Sequence, residues 1–302
     1  MTKSNIDQKR IHEFITPYKV TSGSKFSLKN IDPADTHGLG ETAKAEAKEL
    51  LDLGVKKMAE LQSKLYAQDN WALLCIFQAM DAAGKDSTIK HVMSGINPQG
   101  CQVVSFKEPS KTELDHDFMW RYQQCLPERG NIGIFNRSYY EEVLVVRVHE
   151  NILRGQKIPA KLLSKDIWKE RLEDIANFEQ YLARNGIIVL KFFLHISKEE
   201  QKKRFLERLT REEKNWKFAK SDVDDRKCWK DYTKAYEDAI RSTAAKHAPW
   251  FIVPADHKWF ARLVVAATIV ETLEGLNLKY PVIDKAHRKE LDVARQLLMN
   301  EK

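Results

Sequence analysis

The sequence predicts an α/β fold with a mostly parallel central sheet, and two observations carry this. Short apolar runs of strand length alternate along the chain with longer helix-length segments. Several of these runs are apolar throughout rather than alternating, as strands covered on both faces are. The elements follow in order. Residues 1–40 contain SGSK, NIDPADT and HGLG, a turn-rich arm with little periodicity that is either disordered or wrapped around the rest. From Glu41 to Ala67 an apolar stripe (Ala45, Leu50, Leu53, Val55, Met58, Leu61, Leu65) predicts a helix. WALLCIFQ (71–78) reads as a central strand and Ser87–Met93 as a helix. CQVVSF (101–106) is a second strand, Glu113–Gln124 a helix, NIGIFNRS (131–138) a third strand, and YYEEVLVVRVHENIL a helix. A long helix over Ser164–Arg184 precedes a fourth strand, GIIVLKFFLH (186–195). A helix at Trp229–Ala245, a strand WFIVP (250–254) and an apolar helix Trp259–Leu273 complete the body. The tail from Asp284 is a charged amphipathic helix. The expected organisation is an arm (1–40), one body (41–280) carrying a charged segment at about 200–225, and a C-terminal helix (281–302).

Composition narrows the class only partly. Hydrophobic residues are 43% and charged residues 31%, and formal net charge is +7. This favours anionic partners: nucleotides, oligophosphates, nucleic acid or a lipid surface. Cys75, Cys101, Cys125 and Cys228 are widely spaced with no CxxC pair, which indicates free thiols and no structural zinc. The N-terminus lacks the apolar stretch of a signal peptide, and no apolar run reaches membrane-spanning length. A cytoplasmic protein with no membrane role is expected.

QAMDAAGKDSTIK (78–90) carries the first chemistry. A glycine phosphate loop asks for Gly, four residues, then Gly-Lys-Ser/Thr. Here Ala79 occupies the first glycine position and Asp86 the hydroxyl position. The stretch nonetheless lies between a strand and a helix, where ligands of an open parallel sheet gather. Peptide N–H groups of residues 82–88 (Ala82, Ala83, Gly84, Lys85, Asp86, Ser87, Thr88) can hold an anion, aided by the helix dipole. Gly84 permits close backbone approach, Lys85 places a positive charge against phosphoryl oxygens, and Ser87 or Thr88 supplies a hydroxyl. Asp81 is the oddity, since an acid in a phosphate cradle repels the ligand unless a cation intervenes. Its carboxylate suits Mg²⁺, the orientation of an attacking oxygen, or a helix cap.

IFNRSYYEEV (134–143) also follows a strand and delivers Asn136 and Arg137 to the same sheet edge. Arg137 can neutralise a transferring phosphoryl group, and Asn136 can hold a metal-bound water or a phosphate oxygen. Glu141 and Glu142 open the next segment, where one of them can serve only as a helix-start residue. Residues 198–220 hold nine Lys/Arg against five Glu. Phosphoryl transfer is therefore the leading chemistry.

These same residues carry a resemblance. AMDAAGKDSTIKHVMSGINPQGCQVVSFKEPS, FNRSYYEEVLVVRVH, HISKEEQKKRFLERL, NWKF and HAPWFIVPADHKWFARL resemble the second polyphosphate kinase family, over about residues 15–280. The resemblance implies a P-loop kinase-like three-layer αβα fold with a helical lid. It implies Mg²⁺-dependent movement of a terminal phosphoryl group between inorganic polyphosphate and nucleotides, by an enzyme that forms homo-oligomers. Asp81, Gly84 and Lys85 match the family's phosphate-loop residues, and Asn136 and Arg137 its second motif. Many members begin that motif with aspartate, so Asn136 departs from the commoner form and lacks one metal-ligand charge. The FNRSYYEEVLVVRVH version is similar to the subgroup acting on both nucleoside mono- and diphosphates. Lys203, Arg204, Arg208, Lys214 and Lys217 lie where the family has its basic lid, and a polyanion needs such distributed cations. Trp216 and Phe218 either pack within it, which is the expectation, or one of them stacks on a base.

The expected catalytic residues are thus Asp81, Lys85 and Arg137, with Asp81 also the metal ligand and Asn136, Arg137 and Glu141 on the nucleotide. His149 and His195 sit within or beside apolar elements and read as structural. Two other classes compete: a nucleotide-dependent kinase of a small metabolite or nucleotide, and a nucleic-acid-binding protein. Against the latter, the chain has no zinc finger, RGG tract or compact basic-aromatic ladder.

Overall fold

Six strands form one sheet in the computed structural model, which describes residues 8–40, 44–216, 218 and 220–301. They are β1 (Lys19–Val20), β2 (Ala72–Ala79), β3 (Cys101–Ser105), β4 (Ile132–Asn136), β5 (Ile187–His195) and β6 (Trp250–Pro254), in spatial order β1-β6-β5-β2-β4-β3. β2 to β6 run parallel, and β1 pairs antiparallel with β6. The eight longer helices are α1 (Gln8–Ile15), α2 (Lys44–Gln68), α3 (Lys85–Val92), α4 (Ile167–Arg184), α5 (Lys198–Thr210), α6 (Trp229–Thr243), α7 (Lys258–Gly275) and α8 (Lys285–Met299).

Every residue of β2 is buried, because its pleat sends alternate side chains into two cores. Leu73, Cys75 and Phe77 join Met58, Leu61 and Leu65 of α2 and Val264, Val265 and Ile269 of α7. Leu74 and Ile76 join Leu172, Ile175 and Leu182 of α4 and Ala239 and Ile240 of α6. The result is helix, sheet, helix. Register aligns the strand exits, with Asn136 opposite both Phe77 and Ser105. Cys75, Cys101, Cys125 and Cys228 are free thiols. Among the described residues no helix is long and apolar enough to cross a membrane.

One open alternative closes and two sequence expectations change. The arm is wrapped: Ile15, Tyr18 and Leu28 are buried, Arg241 Nε donates to the Phe26 carbonyl (2.8 Å), and the Leu28 N–H donates to Glu237 Oε2 (3.4 Å). Residues 113–124 form only a 3-10 turn (Glu113–Asp115) and one helical turn (Trp120–Gln123). His116 is extended and the Asp117 carboxylate takes the Met119 N–H (2.9 Å), so a local side-chain bond competes with the helical ladder. The stretch 139–153 breaks into three short pieces at Leu144 (φ −110°, ψ −82°) and His149 (φ −115°, ψ 77°), within a run rich in valine.

The arm's seat is tight at one glycine. A Cβ on Gly23 would lie 1.9 Å from the Arg241 carbonyl oxygen. Gly23→Ala must push backbone from backbone, a cost of about 1–3 kcal/mol. The expected result is a lower urea midpoint and faster proteolysis within residues 16–40. An unchanged cleavage rate would show that the arm docks without this approach.

Candidate active site

The exits of β2 and β4 and the first turn of α3 build one wall of a cleft of about 1000 Å³. The α5 side chains and the residues after it build the other. Eight Lys/Arg and three carboxylates line it. Such a balance in a concave site concentrates polyanions.

The phosphate loop forms as its residue types require. Gly84 lies at φ 105° and Ala82 at φ 61°, so the chain turns sharply between strand and helix. Gly84 caps α3, whose N-terminal N–H groups face the cleft end of the sheet. Lys85 donates one N–H to the Ala79 carbonyl (3.1 Å) and lines the cleft. Burial lowers its pKa, Arg137 adds to that, and Asp81, Glu141 and Asp86 oppose it. Ser87 accepts a hydrogen bond from Arg262 Nη2 (2.8 Å).

At the exit of β4, Arg137 takes φ 66° while its N–H donates to the Phe77 carbonyl (3.1 Å). That backbone bond turns its side chain across to Asp81, with Nη2 to Oδ1 at 3.5 Å. Burial opposes the Arg137 charge, but Glu141 and Asp81 outweigh it and hold the guanidinium firmly cationic. Asn136 Nδ2 donates to Asp86 Oδ1 (2.9 Å) and to Ser105 Oγ (3.4 Å). The amide thus binds the carboxylate standing in the loop's hydroxyl position. An aspartate at 136 would instead set two carboxylates against each other.

Glu141 lies beyond Arg137, in a small cavity of about 130 Å³ shared with Asp81, Tyr232 and Tyr236. Burial raises its pKa against the pull of Arg137 and Lys85, and Gln78 donates to its Oε1 (2.7 Å). Glu142 goes elsewhere: it is buried, accepting from Tyr122 (3.0 Å) and Gln156 (2.6 Å). Position separates the two acids: Glu141 lies beside Arg137 and Glu142 does not.

The structure brings Asp81, Ala82, Gly84, Lys85, Asp86, Ser87, Asn136, Arg137, Arg208 and Lys214 to the cleft wall. Several expectations need correction. The Ala83 N–H goes to the Met80 carbonyl (3.3 Å) and the Thr88 N–H to the Gly84 carbonyl (2.9 Å), and both residues are buried and do not line the cleft. Lys203 is exposed, pairs with Glu200 at 3.6 Å, and does not line the cleft. Arg204 lines the cleft, but its guanidinium is buried against backbone carbonyls. Lys217 lies outside the described residues. Phe218 packs edge-on against Phe205 (5.9 Å between centroids), as expected, whereas Trp216 is 78% exposed and lines the cleft. Neither His149 nor His195 does.

Lys90, Lys107 and Lys258 also line the cleft and were missed. Lys107 follows the strand CQVVSF and Lys258 follows WFIVP at ADHK. The strand-exit argument applied to 79–88 and 136–141 would have found both.

Comparison with known proteins agrees with this geometry. The family model Polyphosphate kinase 2 (PPK2) matches residues 41–281. An ADP-polyphosphate phosphotransferase of Rhodopseudomonas palustris is 54% identical over 252 residues, covering 83% of this chain and 87% of the relative. An AMP/ADP-polyphosphate phosphotransferase of Meiothermus ruber is 44% identical over 272 residues, covering 90% and 97%. The crystal structure of Polyphosphate Kinase 2 from Arthrobacter aurescens TC1 superposes with a TM-score of 0.82 at 39% identity, covering 91% of this chain and 95% of that one. A parallel sheet ending in a phosphate loop and a basic cleft, matched over most of its length in sequence and in shape, places this chain in the polyphosphate kinase 2 family.

Proposed function

We propose that this enzyme transfers the terminal phosphoryl group of inorganic polyphosphate to nucleoside mono- and diphosphates, making ADP from AMP and ATP from ADP, reversibly in principle. One observation carries the reading: a single cleft is lined both by Lys85 and Arg137 at the strand exits and by Arg208 and Lys214 from α5 and the residues after it. A chain of phosphates carries a charge or more per unit and needs that spread of positive charge rather than one deep pocket. The names of the Rhodopseudomonas and Meiothermus relatives support donor and acceptor alike.

In this reading residues 1–40 are an arm, 41–280 the kinase body with its lid at about 200–225, and 281–302 an appended helix. The enzyme is cytoplasmic and homo-oligomeric. An oxygen of the acceptor's terminal phosphate attacks the end phosphorus in line. The new P–O bond forms as the bridging P–O bond breaks, and the shortened polyphosphate leaves with the electron pair. Lys85 and Arg137 neutralise charge on the transferring group, and the loop N–H groups hold its neighbours. Asp81, paired to Arg137, orients the acceptor side.

The residues present fit Mg²⁺. Among the described residues no three His, Cys, Asp or Glu side chains gather into a metal cage. Mg²⁺ suits that arrangement, since it binds through one or two carboxylates plus substrate phosphates and water. Asp81 and Asp86 would hold it, and it would supply charge neutralisation between phosphoryl oxygens.

The test is donor–acceptor profiling. AMP, ADP, GMP and GDP are incubated separately with polyphosphate and Mg²⁺, and products are quantified. ADP formed from AMP, then ATP, is the expected result. ATP formed only from ADP would remove the monophosphate activity. Transfer to AMP from ATP but not from polyphosphate would make the enzyme a nucleotide-dependent kinase.

A further inference from the structure

We propose that Arg204, with Gln201 beside it, is a positioning residue that holds the phosphate loop in its anion-binding shape and anchors the base of α5 to it. This rests on the function proposed above.

Arg204 has five N–H donors, and each has an acceptor. Nε donates to Glu200 Oε1 (2.8 Å), Nη1 to the carbonyls of Ala82 (3.1 Å) and Ala83 (2.8 Å), and Nη2 to those of Ala255 (2.7 Å) and Asp256 (2.9 Å). Its side chain is 4% exposed. No donor remains for a substrate oxygen, so its position on the cleft wall adds charge but no direct bond. Gln201 Nε2 donates to the Asp81 carbonyl (2.8 Å), while Gln201 Oε1 accepts from Arg226 Nη1 (2.7 Å). Three consecutive loop carbonyls, 81 to 83, are therefore held by two adjacent side chains of one helix.

A peptide plane has two ends. Fixing its carbonyl fixes the orientation of the following N–H: the Ala83 N–H closes the turn onto the Met80 carbonyl (3.3 Å), and the N–H groups of Ala82 and Gly84 on either side of it are oriented to make an anion-binding concavity. The loop needs holding, because Ala82 carries a Cβ yet sits at φ 61°, a conformation L-residues avoid. Ala82 and Ala83 are buried, so their carbonyls would go unpaired without the guanidinium. Arginine suits the task, since its planar fork reaches acceptors on two sides at once and a lysine ammonium does not. The same bonds tie α5 to the exit of β6 at residues 255–256. Its first two turns therefore belong to the rigid site. The helix ends where Arg211 takes extended angles (φ −109°, ψ 109°).

The experiment compares Arg204→Lys with Arg208→Gln, reading steady-state transfer from polyphosphate to ADP and amide hydrogen exchange of the loop peptide. Arg204→Lys is expected to lower kcat by about 10²-fold, the size of a small misplacement of reacting groups, with KM for polyphosphate changed less than about threefold. Arg208→Gln is expected to raise that KM and largely keep kcat. Exchange across residues 80–86 is expected to quicken in Arg204→Lys and not in Arg208→Gln, while β2 and β5 keep their protection. Adding Ala82→Gly to Arg204→Lys should recover part of kcat, because glycine adopts the left-handed angles unaided. A raised KM with unchanged kcat and unchanged loop exchange in Arg204→Lys would make Arg204 a phosphate ligand and overturn the proposal. If Arg204→Lys does not fold, Gln201→Leu decides, with a smaller loss of kcat and faster loop exchange expected and no change in either overturning. Absence of polyphosphate-dependent transfer in the unsubstituted enzyme would refute the function instead, and the exchange data would still decide the positioning role.

Discussion

Replacing Lys85 with Ala is expected to lower kcat for phosphoryl transfer by about 10²–10³-fold or more, with an unchanged circular dichroism spectrum. The ammonium stands at the start of α3, against the exit of β2, where among the described residues it donates to one protein group, the Ala79 carbonyl. Its other N–H groups are available to a phosphoryl oxygen. Because burial lowers the Lys85 pKa, with Arg137 adding to it, the cation loses its proton at lower pH than an ordinary lysine does. The cation is the active form, so kcat/KM, which reports the free enzyme, should fall on an alkaline limb below the usual lysine range. Lys85→Arg stays charged throughout and should lose that limb, whatever its rate. Lys258, also on the cleft wall, is shifted the same way by burial and by Arg204, so Lys258→Arg is the control. Near-normal turnover in Lys85→Ala would sink the assigned role. A limb that disappears with Lys258→Arg rather than Lys85→Arg would reassign the titration.

The largest stability effect is expected far from the cleft. Lys191→Met should destabilise the fold by about 3–5 kcal/mol, read as a lower urea midpoint. Lys191 sits in the middle of β5 with no exposure, donating to Glu179 Oε2 (2.5 Å), the Thr243 carbonyl (2.8 Å) and Tyr140 Oη (3.2 Å). Glu179 also accepts from Tyr139 (3.0 Å) and Tyr140 (2.8 Å). Burial raises the Glu179 pKa and lowers that of Lys191, each against the attraction of the other. Removing the cation leaves a carboxylate in a dry interior. In Lys191→Met the carboxyl pKa rises further above its unfolded value. Its folded form is then favoured at low pH, and the deficit should grow as pH rises through the folded-state pKa. Adding Glu179→Gln should recover about 1–3 kcal/mol, since a neutral amide still accepts from the tyrosines. Equal stability of the single and double variants would show that loss of packing around the lysine stem, rather than the stranded charge, sets the cost.

Much of the fold was legible along the chain. Buried parallel strands are apolar throughout, so WALLCIFQ, GIIVLKFFLH and WFIVP stood out and lie within a residue of their observed positions. The helices with long apolar stripes also appeared where expected, at 44–68 and 258–275. The failures fell at 113–124 and 139–153. There, side-chain bonds such as Asp117 to the Met119 N–H, and valine-rich composition, broke a periodicity that looked helical. Within the site, the loop and the Asn136–Arg137 pair were found because both follow strands in sequence. Lys107 and Lys258 obey the same rule and were overlooked.

By itself, the sequence determined the alternation of strand and helix, the two polar strand exits and the family. Each is written in contiguous residues, where spacing and composition report burial directly. Tertiary structure alone decided what the charges do. Arg204 and Arg208 are one helical turn apart and chemically identical in sequence. One has four of its five donors taken by carbonyls 51 to 122 residues away and the fifth by Glu200, and the other lines the cleft. Lys191 read as one polar residue in an apolar strand until Glu179 came to lie against it. A charged side chain's role depends on which partners fill its hydrogen-bonding capacity and how much water remains, and distant segments supply both only when the chain has folded.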